Sequence, residues 1–355
     1  MKDDAMQFQR TIGIDYSGAK TADSSLPGLR VYQTESGGPA AEIGPPPGPQ
    51  HYWTRRTLAG WLIERLAEPI STIVGIDHAF SFPEAYFEEH ALPRDWDVFL
   101  DDFHRHWPTD MPGLSVDSLR HGGDAAAALA ACRKGQTRWR RKAEELARGK
   151  SVFHFGVTGQ VAKSTHAGLP FLRHIRRALP KLHVWPFDGW KIPTNSSALV
   201  EAYPRLYSAA YATEGRTADQ HDAFATASWL RDADVDGRLP QALAPKLSKV
   251  TARLARHEGW ILGVISDQPP ASKSAAGKVT GLPRARPGKG TTTPGYRNPN
   301  GQVVIGPTGR AGTDHNQQVY RLCCGQCGVN YGANGSDIHA RRCPACGGGK
   351  PGLVI

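Results

Sequence analysis

The sequence predicts an α/β fold with a small metal-binding unit at its C-terminal end. Short apolar segments rich in β-branched residues are each followed by one acidic residue, a pattern typical of buried strands that end at a sheet edge. Segments with apolar residues at helical spacing lie between these strands. Two Cys-x-x-Cys pairs near the C-terminus indicate a separate zinc-binding unit.

Length, composition and charge limit the class of protein. The 355 residues are enough for about two domains, and 39% hydrophobic residues fit a globular protein. The sequence has no run of about 18 apolar residues and no apolar signal segment at its start, so we expect a cytoplasmic protein without a membrane span. The net charge of +10 favours nucleic acid as the partner, although a basic face can also be merely solvated.

The N-terminal stretch TIGIDYSGAK introduces the most informative pattern. Thr11 to Ile14 is predicted as a strand that delivers Asp15 at its end, and the Ser-Gly pair that follows supplies a tight turn. The same pattern recurs at Ser71 to Ile76, a buried-type strand that ends in Asp77. An acid held at a strand end beside a turn can meet acids from neighbouring strands.

The remaining elements are predicted from periodicity and turn residues. Further strands are predicted at 29–32, 151–155, 182–185, 197–200 and 260–265. Helices are predicted at 55–68, from Gly122-Gly123-Asp124 into the basic cluster 133–150, from about 204 to 213, at 217–231 and at 245–257. Thr217 is the expected N-cap of its helix. The Asn300-Gly301 pair predicts a hairpin turn.

Five acidic residues form the first group with chemical potential. Asp15, Asp77 and Glu201 end predicted strands, whereas Asp219 and Asp222 share one face of a predicted helix. Taken singly, each acid is better explained by a cap, a turn or a surface ion pair than by a metal site. Together they favour a site for Mg²⁺ or Mn²⁺, because these hard cations bind several carboxylate oxygens at one point. Two such ions about 4 Å apart promote phosphodiester cleavage.

Four segments resemble the landmarks of the ribonuclease-H-like superfamily: TIGIDYSGAK, IVGIDHAFSFP, ALVEAYPR and TADQHDAFATA. Over roughly residues 10 to 265 the chain resembles a family of predicted nucleases related to RuvC Holliday-junction resolvases. The resemblance implies a mixed five-stranded sheet flanked by helices and metal-dependent hydrolysis of DNA or RNA. It gives Asp15 the metal-bridging role, with Glu201 and Asp222 as the other ligands. Asp219 fits the D-x-x-D pattern, whereas the superfamily's second acid usually lies elsewhere than Asp77.

Other functions remain open on the sequence alone. A non-catalytic nucleic-acid-binding adaptor has the same architecture. The fold also includes ATP-binding sugar and acetate kinases, whose first phosphate loop faintly resembles Asp15 to Thr21, but His78-Ala79-Phe80 stands where their second loop needs glycines. Gly159 to Thr165 suggests a P-loop, yet its second glycine is replaced by Ala162. We further expect Gly168 and Pro170 to interrupt the helix that a P-loop requires.

The second chemical group consists of cysteines near the C-terminus. Two Cys-x-x-Cys pairs, separated by 15 residues, each lie in a Gly-bearing turn and predict a structural Zn²⁺ site in a zinc ribbon: Cys324, Cys327, Cys343 and Cys346. Cys323 and His339 are potential extra ligands that we interpret as bystanders. Cys132, in the Ala-rich helix, is predicted to be a core residue.

Three segments follow from these patterns. Residues 1–265 are predicted to form the ribonuclease-H-like catalytic domain, with an irregular helical insertion at about 84–150. Residues 266–290 are rich in Pro, Gly, Ser and Lys without hydrophobic periodicity and predict a flexible basic linker. Residues 291–355 are predicted to form the zinc ribbon, which we expect to help hold nucleic acid.

Overall fold

The chain divides into two compact units, Met1–Ser272 and Lys273–Ile355. The computed structural model describes residues 6–156, 161–267, 290–313, 317–325 and 329–353. The division falls within the predicted linker 266–290, most of which lies outside the described residues, as do the first two residues of the GQVAKST segment. In the described part, no helix is long and apolar enough to cross a lipid bilayer.

A mixed sheet forms the centre of the first unit. Its strands are β1 (Arg10–Asp15), β2 (Arg30–Glu35), β3 (Ala41–Glu42), β4 (Thr72–Asp77), β5 (His183–Val184) and β6 (Ala198–Glu201). They are ordered β3-β2-β1-β4-β6-β5. β2 is antiparallel to both of its neighbours, whereas β1, β4, β6 and β5 are parallel. The predicted α/β class is therefore confirmed, and the described sheet contains one two-residue edge strand more than the five strands implied by the resemblance.

Helices flank this sheet. They are α1 (Arg55–Ala67), α2 (Glu84–Glu89), α3 (Trp96–His106), α4 (Val116–His121), α5 (Ala125–Ala131), α6 (Lys142–Ala147), α7 (Val161–Ala178), α8 (Ala218–Val235), α9 (Leu239–Leu243) and α10 (Lys249–Glu258). α8 begins at the predicted cap, where the Thr217 side chain accepts a hydrogen bond from the Gln220 N–H. The predicted strands at 29–32, 71–76, 182–185 and 197–200 and the helices at 55–68 and 245–257 are confirmed within a few residues at each end.

Two glycines allow α8 to pack directly on the sheet. Gly13 of β1 and Gly75 of β4 are neighbours in the strand register. A Cβ at Gly13 would lie 2.2 Å from the backbone oxygen of Ala223, and one at Gly75 would lie 2.7 Å from the Thr226 methyl carbon. The alanines of α8 complete this close contact, as expected from its sequence. The N-terminal turns of α8 are therefore held beside the carboxyl ends of β1 and β4.

Several predicted elements are wrong. Residues 151–155 form turns and residues 260–265 contain a single bridge, between Ile261 and Glu201, rather than strands. Both segments are apolar because Val152 and Trp260 are buried in the core, and burial of a loop leaves the same sequence pattern as a strand. The predicted helix at about 204–213 consists of two short 3₁₀ turns, Pro204–Leu206 and Ser208–Ala210.

The helical segments around the basic cluster also differ from expectation. α7 continues through Gly168 and Pro170, so these residues do not interrupt it. Gly168 is required by packing, because a Cβ there would lie 2.4 Å from the His78 ring. α5 ends at Ala131, before the basic cluster begins, and Cys132 at its C-terminal cap is exposed rather than in the core.

The second unit contains a small antiparallel sheet. Its strands are β7 (Gln302–Ala311), β8 (Gln318–Cys324) and β9 (Asn330–Asn334), in the order β7-β8-β9. The predicted turn at Asn300-Gly301 is present, with Arg297 and Val303 paired across it and Gly301 at a φ of 78°. Buried Val304, Leu322 and Tyr331 pack beside the cysteines.

Candidate functional site

All five predicted acids line one groove in the first unit. The groove has a volume of about 840 Å³. Its acidic lining comes from the ends of three strands and the first turns of one helix: Asp15, Asp77, Glu201, Asp219 and Asp222. The structure thus brings together residues that are up to about two hundred positions apart in the chain, as expected when parallel strands end at one sheet edge.

Strand register determines where three of these acids lie. Asp15 and Asp77 are direct neighbours at the ends of parallel strands β1 and β4. Glu201 is paired with Ile76, one residue before Asp77, at the end of β6. The three carboxylates therefore come from adjacent strands at the same edge of the sheet.

Helix α8 adds the other two acids. Asp219 and Asp222 lie in its first turns, which the contact at Gly13 holds against the sheet. Asp219 is near enough to Gly28 that a Cβ there would lie 3.1 Å from its carboxylate oxygen. His221, between the two acids in the chain, is hydrogen-bonded through Nε2 to the Ser208 carbonyl.

Negative charge accumulates where Asp15, Asp77 and Asp222 approach one another. Burial, followed by the charges of Asp77, Asp219 and Asp222, raises the pKa of Asp15 well above its ordinary value. Burial and the charges of Asp222 and Glu201 raise the pKa of Asp77 to about 8. Burial also raises the pKa of Asp222. No positive charge offsets these effects at Asp15 and Asp77, whereas the charge of His221 partly offsets them at Asp222.

The closest neighbours of Asp77 provide little positive charge or hydrogen bonding to offset the negative charge of its carboxylate. No hydrogen bond to its carboxylate is found among the described residues. His78 is the next residue and also lines the groove, but burial lowers its pKa to about 4, so its ring is neutral at pH 7. A cation bound here would therefore meet carboxylates that are not already paired.

Glu201 differs from the other acids. Its two carboxylate oxygens accept hydrogen bonds from Arg141, at 2.6 Å for Oε1 to Nη2 and 2.7 Å for Oε2 to Nη1. The Phe80 N–H also donates to Oε2, at 3.3 Å. Both Arg141 and Glu201 are buried, with exposed fractions of 1% and 3%. This carboxylate is thus already bound to a cation, which does not fit the ligand role implied by the resemblance.

The turn after Asp15 is held by a buried arginine. Arg55, at the start of α1, donates hydrogen bonds to the backbone carbonyls of Ser17 at 3.0 Å, Ala19 at 2.7 Å and Lys20 at 3.0 Å. Arg55 is 1% exposed, so these bonds are shielded from water. They fix the backbone that forms one wall of the groove.

Several cations line the groove as well. Lys20, Lys150 and Arg205 are exposed, and none of them forms an ion pair with the described residues. Lys163, from the GQVAKST segment, also lines the groove but is paired with Asp117 at 2.7 Å. The three unpaired side chains are free to contact an anionic ligand that enters the groove.

The acids form an open arrangement rather than a closed cage. Within the described ranges, no three carboxylates bring their oxygen atoms within 4.8 Å of one another. Mg²⁺ fits such a set, because it usually keeps several waters and binds through one or two carboxylates. Asp15, Asp77, Asp219 and Asp222 thus have suitable chemistry for this ion, whereas Glu201 does not.

The cysteines of the second unit do form a compact set. Ligand atoms of Cys324, Cys343 and Cys346 all lie within 4.8 Å of one another. The sulfur atoms of Cys324 and Cys346 are 3.5 Å apart. This cluster can bind a metal ion such as zinc. Cys327, the predicted fourth ligand, lies outside the described residues.

Sequence reasoning found the five acids but missed the two arginines. Arg141 belongs to the basic cluster 133–150, which was predicted only as the continuation of a helix, and Arg55 was seen only as the start of a helix. Glu144, three residues after Arg141, is a signal that was available, since the Arg141 Nε donates to it at 2.9 Å. Comparison of the chain with protein-family models, curated proteins and solved structures found no match.

Proposed function

We propose that the protein is a metal-dependent nuclease that hydrolyses phosphodiester bonds of DNA or RNA at the acidic groove. The observation that carries this proposal is the convergence of five acids on one groove, with Asp15 and Asp77 side by side and not compensated by described cations. Uncompensated carboxylates at a sheet edge destabilise a protein unless a cation neutralises them, so their presence favours a functional explanation.

We propose that the first unit has a ribonuclease-H-like fold. Its support is the mixed sheet with an antiparallel β2, together with the acids at the ends of β1 and β6 and on α8, in the order that the resemblance implies. The α8 helix lies on the sheet close enough for its acids to join those of the strands.

The residues of the groove have separate parts in the proposed reaction. A bound Mg²⁺ or Mn²⁺ supplies Lewis-acid stabilisation of phosphate oxygens and lowers the pKa of a bound water. Asp15 and Asp222, with Asp77 and Asp219 beside them, hold the cation. Arg55 keeps the adjoining turn in place. The exposed side chains of Lys20, Lys150 and Arg205 bind phosphates of the substrate backbone. Such contacts are the sequence-independent part of nucleic-acid binding.

We propose that the second unit is a zinc ribbon in which Cys327 completes a four-thiolate site with the three clustered cysteines. The close approach of Cys324, Cys343 and Cys346 supports this proposal, because tetrahedral Zn²⁺ requires thiolates at such distances. The net charge of +10 is consistent with nucleic acid as the partner.

A cleavage assay tests the proposed function. Wild-type protein is incubated with labelled single-stranded, duplex, hybrid and branched DNA and RNA in Mg²⁺ or Mn²⁺. We expect metal-dependent cleavage of one substrate class, its loss in Asp15→Asn, and its retention in Asp236→Asn, a control that changes an exposed acid at the other end of α8. Binding without cleavage in any metal would instead establish the non-catalytic adaptor.

A further inference from the structure

A buried ionic cluster lies at the Glu201 end of the groove. The guanidinium of Arg141 is bound on one side by both oxygens of Glu201 and on another by Glu144 Oε1 at 2.9 Å. Its Nη1 also donates to the backbone oxygen of Glu258 at 3.2 Å. Burial alone would lower the pKa of Arg141, but the ion pairs with Glu201 and Glu144 outweigh it and raise that pKa. Arg141 is therefore charged at every accessible pH.

This cluster is built into the fold. Glu258 accepts a hydrogen bond from the Lys142 N–H at 2.8 Å, so the segment that carries Arg141 is fixed to α10 as well as to β6. Gly259 lies close by, since a Cβ there would be 3.6 Å from Arg141 Nη1. Arg141 cannot move away from Glu201 without leaving several buried acceptors unpaired, which is strongly unfavourable.

A divalent cation at Glu201 would have to displace or lie beside this guanidinium. Displacement breaks a bidentate buried ion pair, and coexistence places two positive centres next to each other in a medium of low dielectric constant. Neither problem arises at the other end of the acidic lining, where Asp15 and Asp77 are neighbours in the strand register, both line the groove, and neither forms an ion pair with a described residue.

We propose that the groove binds a single divalent cation at the aspartates, and that the guanidinium of Arg141 occupies Glu201 in place of a second cation. This rests on the proposed metal-dependent function and deepens it. Glu201 is a positioning residue that holds Arg141 at the groove, rather than a metal ligand. Arg141 lines the groove, but it is buried and its nitrogens already donate to Glu144, Glu201 and Glu258, so it is fixed in place rather than available as a direct contact for a ligand.

Counting bound Mn²⁺ tests this proposal without relying on catalysis. Full-length protein with its cysteine site loaded with zinc is titrated with Mn²⁺ by calorimetry, and bound Mn²⁺ is followed by electron paramagnetic resonance. We expect one Mn²⁺ per chain with a mononuclear spectrum. Glu201→Gln should keep the wild-type affinity to within about threefold, whereas Asp15→Asn should weaken it by about tenfold or more, equivalent to the loss of a charged ligand.

Different outcomes separate the two proposals. Two Mn²⁺ per chain with an exchange-coupled spectrum would overturn the single-cation site but leave a metal-dependent nuclease intact. A folded Glu201→Gln variant that loses as much affinity as Asp15→Asn would do the same. The number of Mn²⁺ ions bound per wild-type chain tests the single-cation site even if Glu201→Gln fails to fold. Absence of any Mn²⁺ binding would overturn the proposed function and the single-cation site together.

Discussion

Replacing Asp77 with Asn should stabilise the metal-free protein. Asp77 is a carboxylate whose pKa is raised to about 8, first by burial and then by the charges of Asp222 and Glu201. Asn has nearly the same shape but carries no charge, so the substitution removes the repulsion and most of the desolvation penalty. We therefore expect the Asp77 carboxylate, which is proposed to help hold the metal ion, to destabilise the metal-free protein.

The magnitude follows from the pKa. Between about pH 4, the ordinary value of an Asp, and pH 8, the folded state binds more protons at Asp77 than the unfolded state does, so stability falls as the pH rises. A displacement from 3.8 to about 8 corresponds to at most about 6 kcal/mol at about 1.4 kcal/mol per pKa unit. Protonation of neighbouring acids relieves part of this repulsion, so we expect Asp77→Asn to gain about 2–4 kcal/mol at pH 9 and much less at pH 5.

Tryptophan fluorescence measures this change selectively, because all nine tryptophans of the chain precede residue 273 and report on the first unit alone. Urea unfolding of wild type, Asp77→Asn and the control Asp236→Asn is compared at pH 5, 7 and 9 in buffer free of Mg²⁺ and Mn²⁺. Adding Mn²⁺ should then stabilise wild type more than Asp77→Asn. Equal stabilities of wild type and Asp77→Asn at pH 9 would refute the reasoning.

Three further predictions concern other parts of the molecule. Gly13→Ala forces α8 away from the sheet and should lower the free energy of unfolding, followed by fluorescence, by about 2–4 kcal/mol. The control Gly60→Ala places a methyl group in open space on α1 and should be neutral or slightly stabilising. Equal effects of the two substitutions would contradict the close packing of α8 on the sheet. Elemental analysis should find about one zinc per chain, lost in Cys343→Ser without a change in tryptophan-monitored unfolding; full retention of zinc would contradict the site. Lys150→Ala/Arg205→Ala should reduce the slope of log affinity for nucleic acid against log salt by about two, measured by fluorescence anisotropy; an unchanged slope would exclude these side chains as phosphate contacts.

Much of the site could be predicted because its residues follow a local rule. Asp15, Asp77 and Glu201 each end a buried strand, and parallel strands end at one edge, so their proximity is a consequence of element type alone. Asp222 could be placed because the alanines after it predict a helix that packs tightly. Gly13 and Gly75 allow this packing. A glycine inside a strand is a sequence signal of close backbone approach, and the prediction did not use it.

The parts that failed depend on contacts distant in the chain. Arg141 lies 60 residues from Glu201, and although Glu144 at i+3 indicates a local ion pair, nothing near Arg141 in the sequence indicates that it is buried against Glu201. The false strands at 151–155 and 260–265 are apolar because they are buried, and pattern alone does not separate a buried loop from a strand. Pro170 remains within α7 because tertiary packing outweighs its local preference.

The account depends most directly on a divalent cation lying among the groove aspartates. Crystals of the full-length protein soaked in Mn²⁺ allow anomalous diffraction at the manganese edge to locate this ion. The account predicts one anomalous peak within coordination distance of Asp15 and at least one neighbouring aspartate, with Glu201 still bound to Arg141. A groove without a peak, at Mn²⁺ concentrations that support cleavage, would contradict it.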